Sequence, residues 1–274
     1  MQGISGKVIV ITGGYGVLCG AMAKSLAKAG AKVAIIGLVQ QEADEFAQTL
    51  EGEVLSFGAN VLDKASMEAV HQQILATWGP CDILINGAGG NHPQGTTDKP
   101  FMGVEDLNDD SIKTFFDLDP AGFKFVFELN LLGTLIPTQV FARDMVGRKG
   151  CSIINISSLS AFKPLTKVSA YSGAKAAVSN FTEWLSVHFA KTGIRVNAMA
   201  PGFFLADQNR ALLTNPDGSL TARGQQIINQ TPMGRFGEPE DLLSTLYWLL
   251  DEGSAFVTGV VIPIDGGYTA FSGV

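Results

Sequence analysis

Tyr171 and Lys175 stand four residues apart in the run SAYSGAKAAVSNF, and Ser158 lies thirteen residues before the tyrosine, at the end of the apolar run SIINIS. On a helix, that spacing of four puts phenol and ammonium on one face. A cation so close favours the phenolate and is expected to lower the tyrosine pKa from its ordinary ~10 toward neutrality. The pair then suits general acid–base work on a hydroxyl or carbonyl oxygen, with the Ser158 hydroxyl donating a hydrogen bond to the same oxygen. Each piece alone is weak, because Y-x-x-x-K recurs by chance on solvated helices and serines after strands are commonly turn residues. Their order, downstream of a glycine-rich loop, gives them weight.

That loop, TGGYGVLCG at residues 12–20, lies between KVIVIT (Lys7–Thr12), a β-branched apolar run, and AMAKSLAKA (Ala21–Ala29), made of strong helix formers. Strand, glycine turn and helix follow one another. A helix start offers unpaired N–H groups and the positive end of a dipole, which suits a pyrophosphate where no Cβ blocks the approach. The usual G-x-G-x-x-G order is absent, since the glycines are Gly13, Gly14, Gly16 and Gly20. A glycine-rich turn without a ligand is the alternative on the loop alone.

These residues need a scaffold that gathers strand ends. Short apolar runs that read as buried parallel strands recur at Val8–Ile11, Val33–Ile36, Val54–Phe57, Asp82–Ile85, Ser152–Ile156, Arg195–Ala200 and Val260–Ile264. Helical stretches alternate with them, among them Glu42–Leu50, Lys64–Thr77, Ala174–Ala190 and Glu238–Leu250, the last with Pro239 near its start. The alternation implies right-handed βαβ units and an α/β fold, a Rossmann-type, doubly wound sheet of seven parallel strands. No linker is visible, so residues 1–274 read as one domain. Two irregular regions, 87–120 and 202–224, are rich in Gly, Asn, Asp and Pro. Each follows a strand, which places both at the carboxyl edge of the sheet, where ligands bind in this architecture.

The composition, 46% hydrophobic and 16% charged, supplies a core and excludes a disordered chain. A net charge of −7 argues against a nucleic-acid or anionic-membrane surface, though not against an anionic substrate held by a local cation. Cys19, Cys81 and Cys151 show no metal spacing and read as reduced structural thiols, so no metal site is expected. No basic-then-apolar leader opens the sequence and no apolar run reaches ~18 residues, so a soluble, cytoplasmic protein is expected.

The chain resembles the short-chain dehydrogenase/reductase family over nearly all of its length, through TGG (Thr12–Gly14), ILINGAGG (Ile83–Gly90), LNLLG (Leu129–Gly133), INISS (Ile154–Ser158), YSGAK (Tyr171–Lys175), VNAMAPGF (Val196–Phe203), TPMGRFGEPED (Thr231–Asp241) and IDGGY (Ile264–Tyr268). The resemblance implies an NAD(P)-dependent oxidoreductase acting on a CH–OH group, with a catalytic tetrad at Asn130, Ser158, Tyr171 and Lys175. It implies that Tyr171 exchanges a proton with the substrate oxygen and Ser158 polarises that oxygen. Lys175 would hold the nicotinamide ribose, and Asn130 would position a water joining Lys175 to solvent. Cofactor contacts are implied at Gly13, Tyr15, Gly16, Val17, Leu18, Leu38, Asn60, Val61, Asn86, Ala88, Tyr171, Lys175, Pro201, Gly202 and Phe204, with Asn86–Gly89 passing beneath the adenine-side ribose.

The sequence departs from the family pattern in several places. Against T-G-x-x-x-G-x-G, the second and third glycines fall at Val17 and Cys19, and Gly16 and Gly20 are expected to stand in for them. Gly87 replaces a usual Asn, Asn60 the common Asp that meets the adenine amine, and Ala206 the Thr that touches the carboxamide. The second strand ends in IIGLVQQE, with Gly37 and Leu38 where an acidic residue would select NAD or an Arg would admit NADP. With no cation in that turn, NAD is favoured.

A narrower resemblance, to the D-mannonate oxidoreductase (fructuronate reductase) subgroup, rests on TGGYGVLCGAMAKSLA, INGAGGNHP, FFDLDPAGFKFVFELN, KPLTK, PGFFLADQNRALLTNPDGS and the ending FSGV. It implies interconversion of D-mannonate and D-fructuronate in hexuronate breakdown. Such a substrate needs hydrogen-bonding groups and a cation for its carboxylate, and the candidates are Asn91, His92, Ser158, Gln208, Asn209 and Arg210. Other readings are a reductase of another keto-aldonate (gluconate 5-dehydrogenase-like) or of a 3-oxoacyl thioester, and a non-catalytic nucleotide-binding regulator on the same fold. A homotetramer is expected, from the resemblance and from the apolar content of the helices at Leu131–Val146 and Ala174–Ala190.

Overall fold

Isoleucine and valine dominate the strand centres, and where such a strand is covered on both faces every position is buried. The first strand, β1 (Val8–Thr12), is buried at all five positions. Its alternate residues enter two separate cores, Ile9 and Ile11 on one face and Val8 and Val10 on the other. In the computed structural model the described residues are 3–205 and 207–273, with backbone alone at 207–209.

After β1 the chain runs through α1 (Val17–Lys28), β2 (Lys32–Gly37), α2 (Gln40–Ala47), β3 (Glu53–Gly58), α3 (Lys64–Trp78) and β4 (Ile83–Asn86). It continues through α4 (Pro120–Phe127), α5 (Gly133–Phe141), β5 (Cys151–Ile156), α6 (Ser169–His188), β6 (Ile194–Pro201), α7 (Asp207–Leu213), α8 (Ala222–Asn229), α9 (Leu243–Leu250) and β7 (Val261–Ile264). All pairings are parallel, and the strand order β3-β2-β1-β4-β5-β6-β7 gives the seven-stranded doubly wound sheet expected. The order reverses between β1 and β4, so a crevice opens beyond their carboxyl ends. Helices α1 and α9 pack Met22, Leu26, Leu246 and Leu249 on one face, while α3 and α5 pack Met67, Val70, Ile74 and Phe141 on the other.

Local chemistry sets the boundaries. Asp63 caps α3 by accepting from Ala65 N at 2.9 Å and Ser66 N at 3.3 Å. The helix expected at Glu238–Leu250 splits into a 3₁₀ turn at Pro239–Leu242, closed by a Glu238–Asp241 capping box, and then α9. Helix α6 begins at Ser169, ahead of the expected Ala174, and so carries both Tyr171 and Lys175. The second irregular region holds α7 and the start of α8, and 87–120 contains three 3₁₀ turns and the first residue of α4. Contrary to the expectation of no long apolar run, the helical stretch Pro120–Met145 is long and apolar enough to cross a membrane. Half of its apolar window is buried inside the fold, as in a core helix.

Candidate active site

A cleft of about 390 Å³ lies at the reversal of strand order, lined by Gly13, Tyr15, Gly16, Leu38, Asn60, Val61 and Ala88. Gly37, Gly87 and Gly89 line it too, together with Phe125 and Leu129, which sequence reading did not assign. Thr12 ties its floor together: the buried hydroxyl accepts from Gly87 N at 3.1 Å and Ala88 N at 3.2 Å. The signal for Thr12 was the TGG motif itself. Gly13 sits at φ +65°, and a Cβ there would lie 3.0 Å from the backbone of Gly87 and Ala88. Helix α1 starts after Gly16 with no side-chain cap, so its first N–H groups, including those of Val17 and Leu18, remain open to an anion.

At Gly20, expected to stand in for a family glycine, an added Cβ would lie 2.9 Å from the ring of Phe46 of α2. The departures at Cys19 and Gly87 are one exchange, since a Cβ at Gly87 would overlap Cys19 Sγ. Burial pushes the Cys19 thiol up to about 12, with Lys175 opposing, so it is a packing group. Gly87→Ala should cost ~1–3 kcal/mol in denaturant melts, and Cys19→Gly in the same chain should recover part of it. A Gly87→Ala chain as stable as wild type would contradict this packing account.

Beside the cleft residue Gly89, Asn130 and Lys175 converge on one bare spot. A Cβ on Gly89 would sit 2.6 Å from Asn130 Oδ1 and 3.1 Å from Lys175 Nζ. Asn130 is fully buried in a five-residue π turn, Glu128–Leu132, a widening of the helix that no sequence pattern announced. Its amide donates to Gly90 O and Val126 O, both at 2.7 Å, and its Oδ1 accepts from Gly90 N at 3.2 Å. Lys175 donates to Ile156 O at 2.7 Å, and its Nζ lies 5.7 Å from the Tyr171 ring centroid. Ser158 caps the turn that follows β5, its hydroxyl accepting from Ser160 N at 3.2 Å.

The expected lowering of the tyrosine pKa is corrected. Desolvation pushes the Tyr171 phenol above its ordinary value, and only the Ser158 hydrogen bond pulls it down. The same desolvation pushes Lys175 down to about 8, with Cys19 opposing. The tyrosine is therefore held as an acid.

Other assigned residues fall elsewhere. Asn86 turns into the core, donating to Thr138 Oγ1 and Asn155 Oδ1, both at 2.9 Å, rather than into the cleft. Pro201 and Gly202 sit against β7, with Gly202 N donating to Ile264 O at 2.8 Å, and the Phe204 ring packs over Gly237. Asn91 donates to Thr96 Oγ1 at 2.9 Å, and His92 accepts from Gln94 N and stacks edge-on against the cleft residue Phe125 at 5.2 Å. Arg210 is exposed on α7; Ala206 and the side chains of Gln208 and Asn209 lie outside the described residues.

The sequence profile described as short chain dehydrogenase matches residues 7–217. An uncharacterized oxidoreductase from Haemophilus influenzae is 54% identical over 275 residues, spanning 99% of this chain and 96% of its own. The uncharacterized oxidoreductase UxuB of Bacillus subtilis is 49% identical over 278 residues, spanning 100% and 98%. A crystal structure from Haemophilus influenza, described provisionally as a D-mannonate oxidoreductase and holding NAD, is similar with a TM-score of 0.94 at 53% identity, covering 98% of this chain and 97% of that one. Likeness of this extent, over nearly the whole chain, means that the chain belongs to the short-chain dehydrogenase family of oxidoreductases.

Proposed function

We propose that this chain interconverts D-mannonate and D-fructuronate with NAD. The observation that carries the chemistry is the meeting of Asn130 and Lys175 over Gly89, one helical turn from Tyr171, whose pKa the Ser158 side chain pulls down against desolvation. Likeness to the NAD-holding protein described as a D-mannonate oxidoreductase supports the substrate. The residues fit a dinucleotide: the uncapped start of α1 and the bare glycines at 13 and 16 suit a pyrophosphate, and Asn60 faces the far end of the cleft. Asn60 Oδ1 accepts from Leu62 N at 3.0 Å, which leaves its amide group to donate to an adenine nitrogen. The absence of Lys and Arg among the residues lining the cleft favours NAD over NADP.

The chemistry a bound nicotinamide supplies is hydride transfer to or from the substrate carbon. In reduction, Tyr171 gives its proton to the substrate oxygen while Ser158 donates a hydrogen bond to that oxygen. Lys175 would hold the ribose hydroxyls, and Asn130 pins the Gly90 segment beside it, where a water can join the lysine to solvent. Initial rates of NADH oxidation against a panel of keto-uronates, keto-aldonates and a 3-oxoacyl thioester test the substrate. D-fructuronate should give the highest kcat/KM, and a higher value for any other member would overturn the assignment.

The substrate carboxylate needs a cation, and Arg210 is the single Lys or Arg between Arg195 and Arg223. Arg210→Ala should raise KM for the acid by ~10- to 150-fold, the equivalent of ~1.5–3 kcal/mol for a charge-assisted hydrogen bond, with dinucleotide affinity unchanged. Lysine at that position should recover activity only in part, because it cannot make the bidentate contact. Unchanged kinetics would redirect attention to Lys163 and Lys167.

A homotetramer fits the apolar residues left uncovered on the two long helices and nearby, including Leu132, Trp184 and Val187. Sedimentation equilibrium that shows only monomer at micromolar concentration would contradict it. A reducing, cytoplasmic setting fits three buried free thiols.

A further inference from the structure

The end of β2 is built unusually. Gly37 closes the strand, and a Cβ there would overlap the Tyr15 ring, which comes from the glycine loop and fills the volume that a side chain at position 37 would take. The Tyr15 hydroxyl accepts from Val39 N at 3.3 Å, and its proton is left to donate. Tyr15, Gly37 and Leu38 line the same cleft as Ala59, Asn60 and Val61, and Leu38 is 71% exposed. The charge next to this end is acidic: α2, which begins three residues after Gly37, carries Glu42, Asp44 and Glu45 and no Lys or Arg. Glu42 occupies the first turn of α2, where a phosphate would otherwise meet a helix N-terminus.

We infer that Tyr15 sets the choice of dinucleotide, taking the place at the β2 end where an acidic side chain would otherwise hold the adenosine ribose. The inference rests on the reading that the cleft takes a nicotinamide dinucleotide. A ribose 2′-hydroxyl needs one hydrogen-bonding partner, and the phenol hydroxyl supplies it without a charge. A 2′-phosphate brings about two negative charges and three acceptor oxygens. Here it would meet an aromatic ring, an exposed leucine and acidic neighbours, with no Lys or Arg among the described residues that line the cleft. The ring excludes the phosphate and the hydroxyl retains the ribose, so the two parts of one side chain do separate jobs.

Calorimetric titration of the full-length protein with NADH and NADPH, in the absence of substrate, tests this. Wild type should bind NADH at least ~10-fold more tightly than NADPH. Tyr15→Phe keeps the ring and removes the hydroxyl, so NADH affinity should fall roughly threefold to tenfold while NADPH affinity stays unchanged. Tyr15→Ala should bring the two affinities within about threefold of each other. Adding Gly37→Asp to Tyr15→Ala should restore the NADH preference, because the volume beside position 37 is then open. Should wild type bind neither dinucleotide, the cofactor reading falls and this inference with it. Should wild type prefer NADH while both Tyr15 variants keep the full ratio, the inference alone falls.

Discussion

Tyr171→Phe should lower turnover by ~10²- to 10⁴-fold and leave the NADH dissociation constant within about threefold of wild type. Phenylalanine retains the ring that packs with Val126, Ala170 and Ala174, so the helix and the cleft keep their shape. In the proposed mechanism, what disappears is the proton given to the substrate oxygen. Desolvation favours the protonated phenol, which suits the acid role that the mechanism gives it. Steady-state rates combined with calorimetric binding check the result. A variant that retains more than a few per cent of activity would show that another group carries the proton.

Lys175→Met should damage both functions. The variant loses a buried ammonium that can make charge-assisted hydrogen bonds to ribose hydroxyls, worth ~1.5–3 kcal/mol, so dinucleotide affinity should fall roughly 10- to 150-fold. Turnover should also fall, by at least ~10²-fold, because nothing then helps to restore the Tyr171 proton. The pH dependence follows from the direction of the shift. Burial depresses Lys175 to about 8, so the amine is charged below that pH and neutral above it. Wild-type affinity for NADH should therefore weaken as pH rises through about 8, whereas Lys175→Met should show no such step. A wild-type profile that is flat across this range would contradict the role given to the ammonium.

The parts of the molecule legible in its sequence are those where local pattern and tertiary environment agree. Seven strands could be read because each is a short β-branched or apolar run buried between helices, and their edges moved by only a residue or so in the structure. Tyr171 and Lys175 could be read because a spacing of four has one meaning on a helix. Helix α7 was missed because it sits in a stretch rich in Gly, Asn, Asp and Pro, where composition signals a loop. The π turn at Asn130 was missed because widening a helix by one residue leaves no mark in hydrophobic period.

The electrostatic error has a different origin. Spacing gives the nearness of a cation but not the depth of burial, and at Tyr171 desolvation sets the direction of the shift. The glycine loop shows the same limit. Cys19 and Gly87 are 68 positions apart in the chain, and only the fold reveals that one fills the space the other vacates. Asn86 lies at the right strand end yet turns its amide toward Asn155 and Thr138, because an interior polar group must find partners.

The central claim is reduction of a keto-uronate by hydride transfer at the Tyr171 site, and product analysis tests it most directly. Wild-type protein, D-fructuronate and NADH deuterated at the transferable position should yield D-mannonate with one deuterium on the newly formed carbinol carbon, and Tyr171→Phe should yield almost none in the same time. NADH that is not consumed with D-fructuronate, or D-mannonate formed without deuterium, would contradict the account.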